Sequence, residues 1–194
     1  MLNISKGEPW LFWPNSICDS LPEKPANKIL SGDQYFRLKL RINLTDTSSI
    51  QKTLFTIVPR YTGLDLYEDK MQWTVTCEDV VDYIDLPLLI HPGKEVEIIL
   101  EHRPKQFFKL FIDNKEVHTV DLSIREFGLS DNPHILIGSG NFPKNDFNLN
   151  FTSFDLLEFE LKDNNGVVAH HLFEEFIFDK SVDLTGNCNF LHKI

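Results

Sequence analysis

The feature of this sequence that most constrains its fold is a strict alternation of apolar and polar residues from Gln34 to Leu44. Successive side chains of a β-strand point to opposite faces of the sheet, so residues of one parity share a face. One parity here is entirely apolar and the other is polar, which indicates a strand with one buried and one solvated face. The apolar positions are Phe36, Leu38, Leu40, Ile42 and Leu44, and Arg37, Lys39, Arg41 and Asn43 alternate with them.

Strand-like patterns continue along the rest of the chain, and no helical period lasts beyond two turns. Residues 107–112 are apolar on both parities except at Lys109, which predicts a strand buried on two faces. A capping-box pattern at Ser123–Glu126, followed by Gly128, predicts one short helical turn. The other predicted strands are residues 53–58, 63–67, 70–77, 95–101, 117–122, 134–138, 146–161 and 167–173.

Two turn signals predict tight hairpins between neighbouring strands. Asp113-Asn114-Lys115 supplies residues that tolerate a positive φ, and Asp163-Asn-Asn-Gly166 is typical of a type I′ turn. About ten short strands with such turns between them favour two stacked antiparallel sheets, because a single open sheet would leave one apolar face in water. The sequence therefore predicts an all-β sandwich.

The chain length is compatible with a single domain. Its 194 residues suit an all-β domain with one large core, which needs neither a metal nor disulfide bonds for stability. Residues 1–29 are expected to form an irregular N-terminal arm that packs on the sandwich through Trp10, Phe12 and Trp13. Residues 30–194 are expected to form the sandwich itself.

Three passages resemble the concanavalin A-like, laminin G-like family of jelly-roll domains. They are GKEVEIILEHRPKQFFKLFIDNKEVHTVDL (93–122), PHILIGSG (133–140), and VVAHHLFEEF with VDLTGNCNF (167–176 and 182–190). The last passage is similar to the opening segment of that family, although it stands here near the other end of the sequence. Since the family's first and last strands are neighbours, the resemblance implies either that this passage closes the same sandwich, which we favour, or that it opens a second domain.

Charge and cysteine content exclude several classes of protein. The formal charge of −10 repels nucleic-acid phosphates and anionic lipids, so we expect neither as a partner. Cys18, Cys77 and Cys188 form no CxxC pair and are expected to be buried free thiols. The sequence shows no signal peptide and no stretch near the ~20 apolar residues of a membrane span, which predicts a soluble, cytoplasmic chain as written and leaves its cellular location open.

A catalytic signature is not recognisable in the sequence. Glycan hydrolases of this class place carboxylates as Glu-x-Asp-x-x-Glu along one strand. The nearest match is Glu95, Glu97 and Glu101, whose spacing differs and whose positions suit the polar face of an ordinary strand. His170 and His171 are adjacent on a predicted strand and so point to opposite faces, which predicts that one is packed, the other is solvated and the two share no metal.

Calcium is the one cofactor that the sequence suggests. Asn145, Asp146 and Asn148, with Asn141 and Asn150 nearby, offer the hard oxygen ligands that this ion prefers. The family resemblance implies the same ion, because many lectins of this class use calcium. The simpler interpretation is favoured, in which Asn145 and Asp146 form a turn while Asn148 and Asn150 form the wet face of a strand. No other cofactor is expected.

Carbohydrate binding requires an aromatic face beside planar amides or carboxylates. Tyr61, Tyr67 and Tyr83 are predicted in or beside loops near acidic residues, and large side chains in exposed loops favour a binding role. The simpler interpretation is a solvated acidic loop after residue 77. The candidate ligand-binding residues are Tyr61, Tyr67, Asp79, Asp82, Tyr83, Asn141 and Asn145, and Glu78 and Asp85 belong to the same acidic cluster.

The leading hypothesis is a non-catalytic, lectin-like module that binds a glycan or polysaccharide, alone or as part of polysaccharide-handling machinery. The alternative is a protein-interaction or structural module, because laminin G-like sandwiches also bind proteins and a fold says little about function. Glycan hydrolysis is a third hypothesis that lacks an assignable carboxylate pair. The identity of the ligand does not follow from the sequence.

Overall fold

The computed structural model describes residues 2–4, 10–12, 30, 32–45, 52–58, 62–78, 80–127, 134–138, 153–173 and 191–193. These residues contain fourteen β-strands and no helix, which confirms the all-β prediction. None of them belongs to a helix long and apolar enough to cross a membrane. In chain order the strands are β1 (Leu2–Ile4), β2 (Trp10–Phe12), β3 (Phe36–Leu44), β4 (Lys52–Val58), β5 (Thr62–Leu66), β6 (Lys70–Cys77), β7 (Val80–Pro87), β8 (Glu95–Arg103), β9 (Phe107–Ile112), β10 (Lys115–Asp121), β11 (His134–Ile137), β12 (Phe154–Asp163), β13 (Gly166–Leu172) and β14 (Leu191–Lys193).

The strands form two antiparallel sheets of seven strands each. The first sheet has the order β1-β12-β3-β8-β9-β10, and β13 also pairs with β12. The second sheet has the order β14-β2-β11-β4-β5-β6-β7. Strands β10 and β7 therefore end their sheets, and their outer backbone edges have no neighbouring strand among the described residues. These two edges become important for the candidate site.

The core lies between the sheets and consists of the residues that alternate inward along each strand. In β3 the buried and half-buried residues alternate without a break, as the sequence pattern predicted. Trp73 is fully buried and packs edge-on against Phe108 of the other sheet, with ring centroids 5.2 Å apart. Cys77 is a buried free thiol whose pKa is raised by burial, as expected, while Cys18 and Cys188 lie outside the described residues.

The two hairpin turns use different chemistry. Asp113 and Asn114 adopt positive φ values of 50° and 62°, which suits the predicted tight turn between β9 and β10. The turn after β12 is not type I′, because neither of its central residues has a positive φ. Instead the Asp163 carboxylate accepts the backbone N–H groups of Asn165 at 2.7 Å and Gly166 at 3.1 Å, and Gly166 takes the positive φ.

The predicted helical turn at Ser123–Glu126 is wrong. The backbone N–H of Ser123 donates to the Asp121 carboxylate at 2.8 Å, and Phe127 forms a β-bridge with Cys77. The Glu126 carbonyl also accepts the backbone N–H of Glu78 at 3.0 Å. These bonds hold the segment, which bends at residues 123–125, against the end of β6, in competition with a helical turn.

Two pieces of the segment that was expected to be an irregular arm are short strands. Residues 2–4 pair with β12 in the first sheet, and residues 10–12 lie between β11 and β14 in the second. Edge strands carry unpaired backbone donors and acceptors, and these pieces satisfy some of them. Trp13 and the remainder of residues 1–29 lie outside the described residues, and the boundary at residue 30 stays a prediction.

The described parts of the C-terminal segment belong to the same two sheets. Strand β13 pairs with β12 in the first sheet, and β14 pairs with β2 in the second. This pairing agrees with the interpretation that the segment closes the sandwich from its other end.

Strand β9 differs from its prediction, because only one of its faces is fully buried. Phe108 and Leu110 are buried in the core, whereas Phe107 and Phe111 are half-buried on the outer face of the first sheet. The Lys109 ammonium lies 4.9 Å from the centroid of the Phe107 ring, and the stem of such a side chain can cover an aromatic neighbour. Apolar residues on both parities of β9 are therefore compatible with the single core between the two sheets.

Candidate functional site

The acidic segment after β6 is a strand rather than the predicted loop. Glu78 turns the chain with a φ of 53°, and β7 then pairs with β6 along its whole length, from Cys77↔Val80 to Lys70↔Pro87. Asp82 occupies the inward parity between Val80 and Ile84, where a strand would normally carry an apolar residue. The polar residue breaks the alternation, which explains why the pattern indicated a loop.

A groove runs along the side of the sandwich between the two edge strands β7 and β10. Its volume is about 470 Å³, which falls within the range of small-ligand sites. The residues that line it are Val81, Asp82, Tyr83, Ile84, His118, Thr119, Val120, Asp121 and Arg125. We call this the rim groove, and it contains two of the predicted ligand-binding residues, Asp82 and Tyr83.

An ion pair joins the two walls of the rim groove. The Arg125 guanidinium donates to the Asp82 carboxylate at 2.7 Å, and both side chains are about one-third exposed. The Ser123 backbone N–H lowers the pKa of Asp121, and the nearby charge of Arg125 adds to this effect. Arg125 thus stands close to two carboxylates, one from each edge strand.

Tyr83 is the most exposed aromatic side chain among the described residues. It points outward from β7 opposite Thr74, and 67% of its surface is accessible to solvent. Two apolar side chains at the same rim are also exposed, Ile124 at 90% and Val80 at 57%. Exposed apolar surface of this kind often marks a binding region, because large apolar side chains are otherwise buried.

The outer face of the second sheet, on which Tyr83 stands, also carries a network of polar side chains. The Asp85 carboxylate accepts hydrogen bonds from Lys70 at 2.7 Å and from Gln72 at 2.9 Å. The Tyr67 hydroxyl donates to the Gln72 amide oxygen at 3.4 Å. We call Tyr67, Lys70, Gln72 and Asp85 the outer patch, which lies next to the exposed ring of Tyr83.

The ionisation states in the outer patch follow from these contacts. The hydrogen bond from Lys70 lowers the pKa of Asp85, so its carboxylate stays charged at neutral pH. Partial burial raises the pKa of Tyr67, and the negative charge of Asp65 contributes to the rise. The patch therefore offers a charged acceptor, an amide and a neutral phenol within one small area.

No residue of β10 or of the segment after it was predicted to belong to the site, although residues 117–122 were predicted to form a strand. His118 lies in the floor of the rim groove, with its ring centroid 6.0 Å from that of Trp73. Arg125 falls within the pattern that indicated a helical turn, and Asp121 was not singled out. His118, Asp121 and Arg125 join the site because β7 and β10, the edge strands of two different sheets, lie side by side. No local pattern in the sequence reveals that contact.

The other predicted site residues lie outside the described residues. They are Tyr61, Asp79 and Asn141 for the ligand, and Asn145, Asp146, Asn148 and Asn150 for calcium, with Asn145 common to both sets. Their assignment stays a prediction. Of the predicted ligand-binding set, Asp82 and Tyr83 line the rim groove on edge strand β7, and Tyr67 lies in the connection between β5 and β6.

A second cluster, made of two carboxylates and one imidazole, lies on the outer face of the first sheet. One ligand atom each from Glu158, Glu160 and His170 lies within 4.8 Å of the others. Lys39 donates to Glu158 at 2.5 Å, and Lys162 lies 3.0 Å from Glu160. Burial by itself would raise the pKa of Glu158, but Lys39 and His170 hold it below the usual value. A catalytic acid requires the opposite shift, so this cluster favours a structural ion-pair network.

The two adjacent histidines point to opposite faces, as predicted. His171 is fully buried beside Phe159 and Phe173, whereas His170 is half-buried on the outer face. Glu95, Glu97 and Glu101 also lie on the outer face of β8, as expected for an ordinary solvated face. Arg41 pairs with Glu95 at 2.9 Å.

Comparisons with known proteins identify the fold. No family model matches the chain, and no curated protein matches it. Solved structures do match, among them the ligand-binding domain of botulinum neurotoxin serotype D in complex with N-acetylneuraminic acid, with a TM-score of 0.52 and 10% identity over 83% of this chain and 38% of that one. Domains LG4-5 of the mouse laminin α1 chain match with a TM-score of 0.51 and 11% identity over 84% of this chain and 41% of that one.

A third match has the same character. The binding domain of botulinum neurotoxin DC in complex with SialylT has a TM-score of 0.53 and 10% identity, over 82% of this chain and 38% of that one. The chain therefore spans about two fifths of the length of these structures. At this identity the likeness concerns the fold alone, and it shows a laminin G-like, concanavalin A-like jelly roll.

Proposed function

We propose that this laminin G-like sandwich is a non-catalytic carbohydrate-binding module whose site is the rim groove with the adjoining outer patch. The observation that carries the proposal is the exposed ring of Tyr83, which lines the rim groove together with the Asp82–Arg125 ion pair and stands on the same face of β7 as Asp85. Such a ring offers a flat apolar surface, and the flanking groups offer hydrogen-bonding partners in fixed positions.

The chemistry of a sugar matches both kinds of surface. One face of a pyranose presents C–H groups that can pack on an aromatic ring, while its hydroxyl groups need donors and acceptors around the edge. Charged carboxylates are strong acceptors for hydroxyl donors, and Asp82 and Asp85 flank Tyr83 on β7. Ion pairs with Arg125 and Lys70 hold both carboxylates in place, which reduces the entropy that binding must overcome.

The structural neighbours support the proposal at the level of the fold. Two of them were solved in complex with N-acetylneuraminic acid or with SialylT, and this chain matches 38% of the length of each. All the neighbours named above are described as binding domains or laminin domains, and in the described cluster of Glu158, Glu160 and His170 the pKa of Glu158 is lowered, opposite to what a catalytic acid requires. For these reasons we propose binding without catalysis.

A glycan array provides the direct test, and Tyr83→Ala is its decisive variant. We expect the wild-type chain to bind a defined set of glycans and Tyr83→Ala to lose roughly tenfold or more in affinity, because the packing surface is removed. Tyr83→Phe keeps the ring and should retain most of the binding. Val167→Ala serves as a matched control, because it removes another exposed apolar side chain from the β12–β13 hairpin.

The same array, run with calcium and then with a chelator, tests the predicted metal ligands. Binding that is lost with the chelator would support a calcium site at Asn145, Asp146 and Asn148. Binding that persists would assign recognition to the groove and the patch alone. A wild-type chain that binds no glycan in either condition would contradict the proposed function.

A protein-interaction module is the second candidate. It is favoured by the exposed apolar side chains of Ile124 and Val80 at the rim, which a sugar site does not require. A blank array together with a protein partner whose binding is weakened by Ile124→Ser would establish this alternative.

A further inference from the structure

We propose that the rim groove selects uncharged saccharides and rejects acidic ones, because it holds two carboxylates and a single guanidinium. This inference rests on the proposed function, since it names the class of glycan that the same site accepts. It concerns the three charged residues that line the groove, Asp82, Asp121 and Arg125.

The one guanidinium among the described residues that line the rim groove already pairs with a carboxylate. Arg125 donates to Asp82 at 2.7 Å, and its charge also acts on Asp121. A carboxylate on a sugar would have to displace Asp82 from Arg125 to gain a bidentate partner. Removing one partner from an established charge pair leaves the other group unpaired, which makes the exchange unfavourable.

The second carboxylate of the groove stays ionised at neutral pH. Its backbone donor is the N–H of Ser123, at 2.8 Å from the Asp121 oxygen, and this bond lowers the pKa of Asp121. Among the described lining residues, two carboxylates therefore stand against one guanidinium, which leaves one negative charge in excess. An acidic sugar would bring a like charge into this space and would be repelled.

Three lysines on or next to the neighbouring strands have carboxylate partners. Lys70 pairs with Asp85 at 2.7 Å, Lys109 pairs with Glu116 at 2.6 Å, and Lys105 lies 3.6 Å from Glu126. None of these three ammonium groups is without a carboxylate partner. The formal charge of −10 on the whole chain adds a long-range repulsion of the same sign.

An uncharged saccharide brings no charge into the groove, so it neither competes for Arg125 nor is repelled by the carboxylates. Its hydroxyl groups can donate to Asp82 and Asp121 without displacing Arg125, and the Thr119 hydroxyl, which donates its own proton to Glu116 at 2.8 Å, adds an acceptor. Hydrogen bonds to charged acceptors are stronger than those between neutral groups. The same carboxylates that repel an acidic sugar therefore favour a neutral one.

The test is an array that carries neutral glycans beside the same glycans extended with a sialic or uronic acid. It is run at pH 8, where the Asp121 carboxylate is ionised, and with a chelator, so that no metal can bridge two carboxylates. We expect each neutral glycan that binds to bind on the order of fivefold more tightly than its acidic counterpart. The difference should shrink in 1 M NaCl, because salt screens the repulsion.

Asp121→Asn is the variant that assigns the preference to the rim groove. The amide oxygen can still accept the Ser123 N–H while the charge is lost, so the affinity gap between neutral and acidic glycans should fall to about twofold or less. Glu95→Gln is the matched control, because it removes one negative charge from the outer face of the first sheet and should leave the gap unchanged. Thermal unfolding of both variants verifies that they are folded.

Each outcome bears on a separate claim. Acidic glycans that bind as tightly as their neutral counterparts would overturn the charge selection while leaving carbohydrate binding intact. An unchanged gap in folded Asp121→Asn would overturn its assignment to the rim groove. A wild-type chain that binds neither class would overturn the proposed function itself.

Discussion

At the scale of single residues, position on a strand decides whether a histidine is a core residue or a surface group. His102 points inward from β8 among Phe36, Phe108 and Phe127 and is fully buried. Its Nδ1 atom donates to the Gln34 carbonyl at 2.8 Å, while Nε2 has no hydrogen-bond partner among the described residues. Burial therefore lowers the pKa of His102 from 6.5 to about 4, because a second proton would be buried without an acceptor.

The buried His102 should make the stability of the domain depend on pH below neutrality. The unfolded chain takes up a proton on this residue near pH 6.5 and the folded chain only near pH 4, so stability is complete above pH 6.5 and falls as the pH drops to 4. His102→Phe fills a similar space without a titrating group. Between pH 7 and pH 4.5 the variant should lose about 2 kcal/mol less unfolding free energy than the wild type in urea titrations. Equal losses would contradict this account.

At the scale of secondary-structure elements, β7 combines an exposed edge with an inward-facing charge. Asp82 occupies the inward parity, and its partner Arg125 comes from the segment that follows the other edge strand, β10. A charge that points inward on an edge strand is a common means of preventing another strand from pairing there. The irregular register of β10 between Glu116 and His118 has a similar effect at the opposite edge.

Removing the inward charge from β7 should therefore promote self-association. Asp82→Val restores a continuous apolar parity from Val80 to Leu86 and leaves a regular edge strand open to a second copy of the chain. We expect the variant to form dimers or larger species whose share rises with concentration in analytical ultracentrifugation. Asp82→Glu keeps the charge at this position and should stay as monodisperse as the wild type. A monomeric Asp82→Val would show that the charge is not what protects this edge.

At the scale of the whole molecule, the sequence predicted the strands that have one wet face, and it missed those with mixed faces. Strands β3 and β8 match their predicted ranges within two residues, because their apolar and polar residues alternate, without a break in β3 and with one exception, Ile99, in β8. Strand β7 was missed because Asp82 stands on its inward parity. Arg125 was missed as a site residue because its contact with Asp82 joins positions 43 residues apart. Alternation is a local signal, whereas the site depends on which two strands end their sheets.

The two sheets are held together by a cluster of aromatic rings around Phe108. This side chain extends from β9 in the first sheet and contacts Trp73 of the second sheet, with centroids 5.2 Å apart. It also packs against Phe127 at 4.9 Å, His102 at 5.7 Å and Phe36 at 5.8 Å. Since residues from both sheets surround one ring, we expect the sheets to unfold together in a single transition.

Phe108→Ala should accordingly destabilise the whole domain. It leaves a cavity between the sheets, and losses of about 3–5 kcal/mol are typical for a phenylalanine in a packed core. Phe107→Ala is the matched control from the next position on β9, because its ring lies half-buried on the outer face against Lys109 and should contribute only about 1 kcal/mol. Urea unfolding followed by tryptophan fluorescence and by circular dichroism would measure both variants. If the two probes gave different midpoints for the wild type, or if the two variants were equally destabilised, the sheets would not be coupled through Phe108.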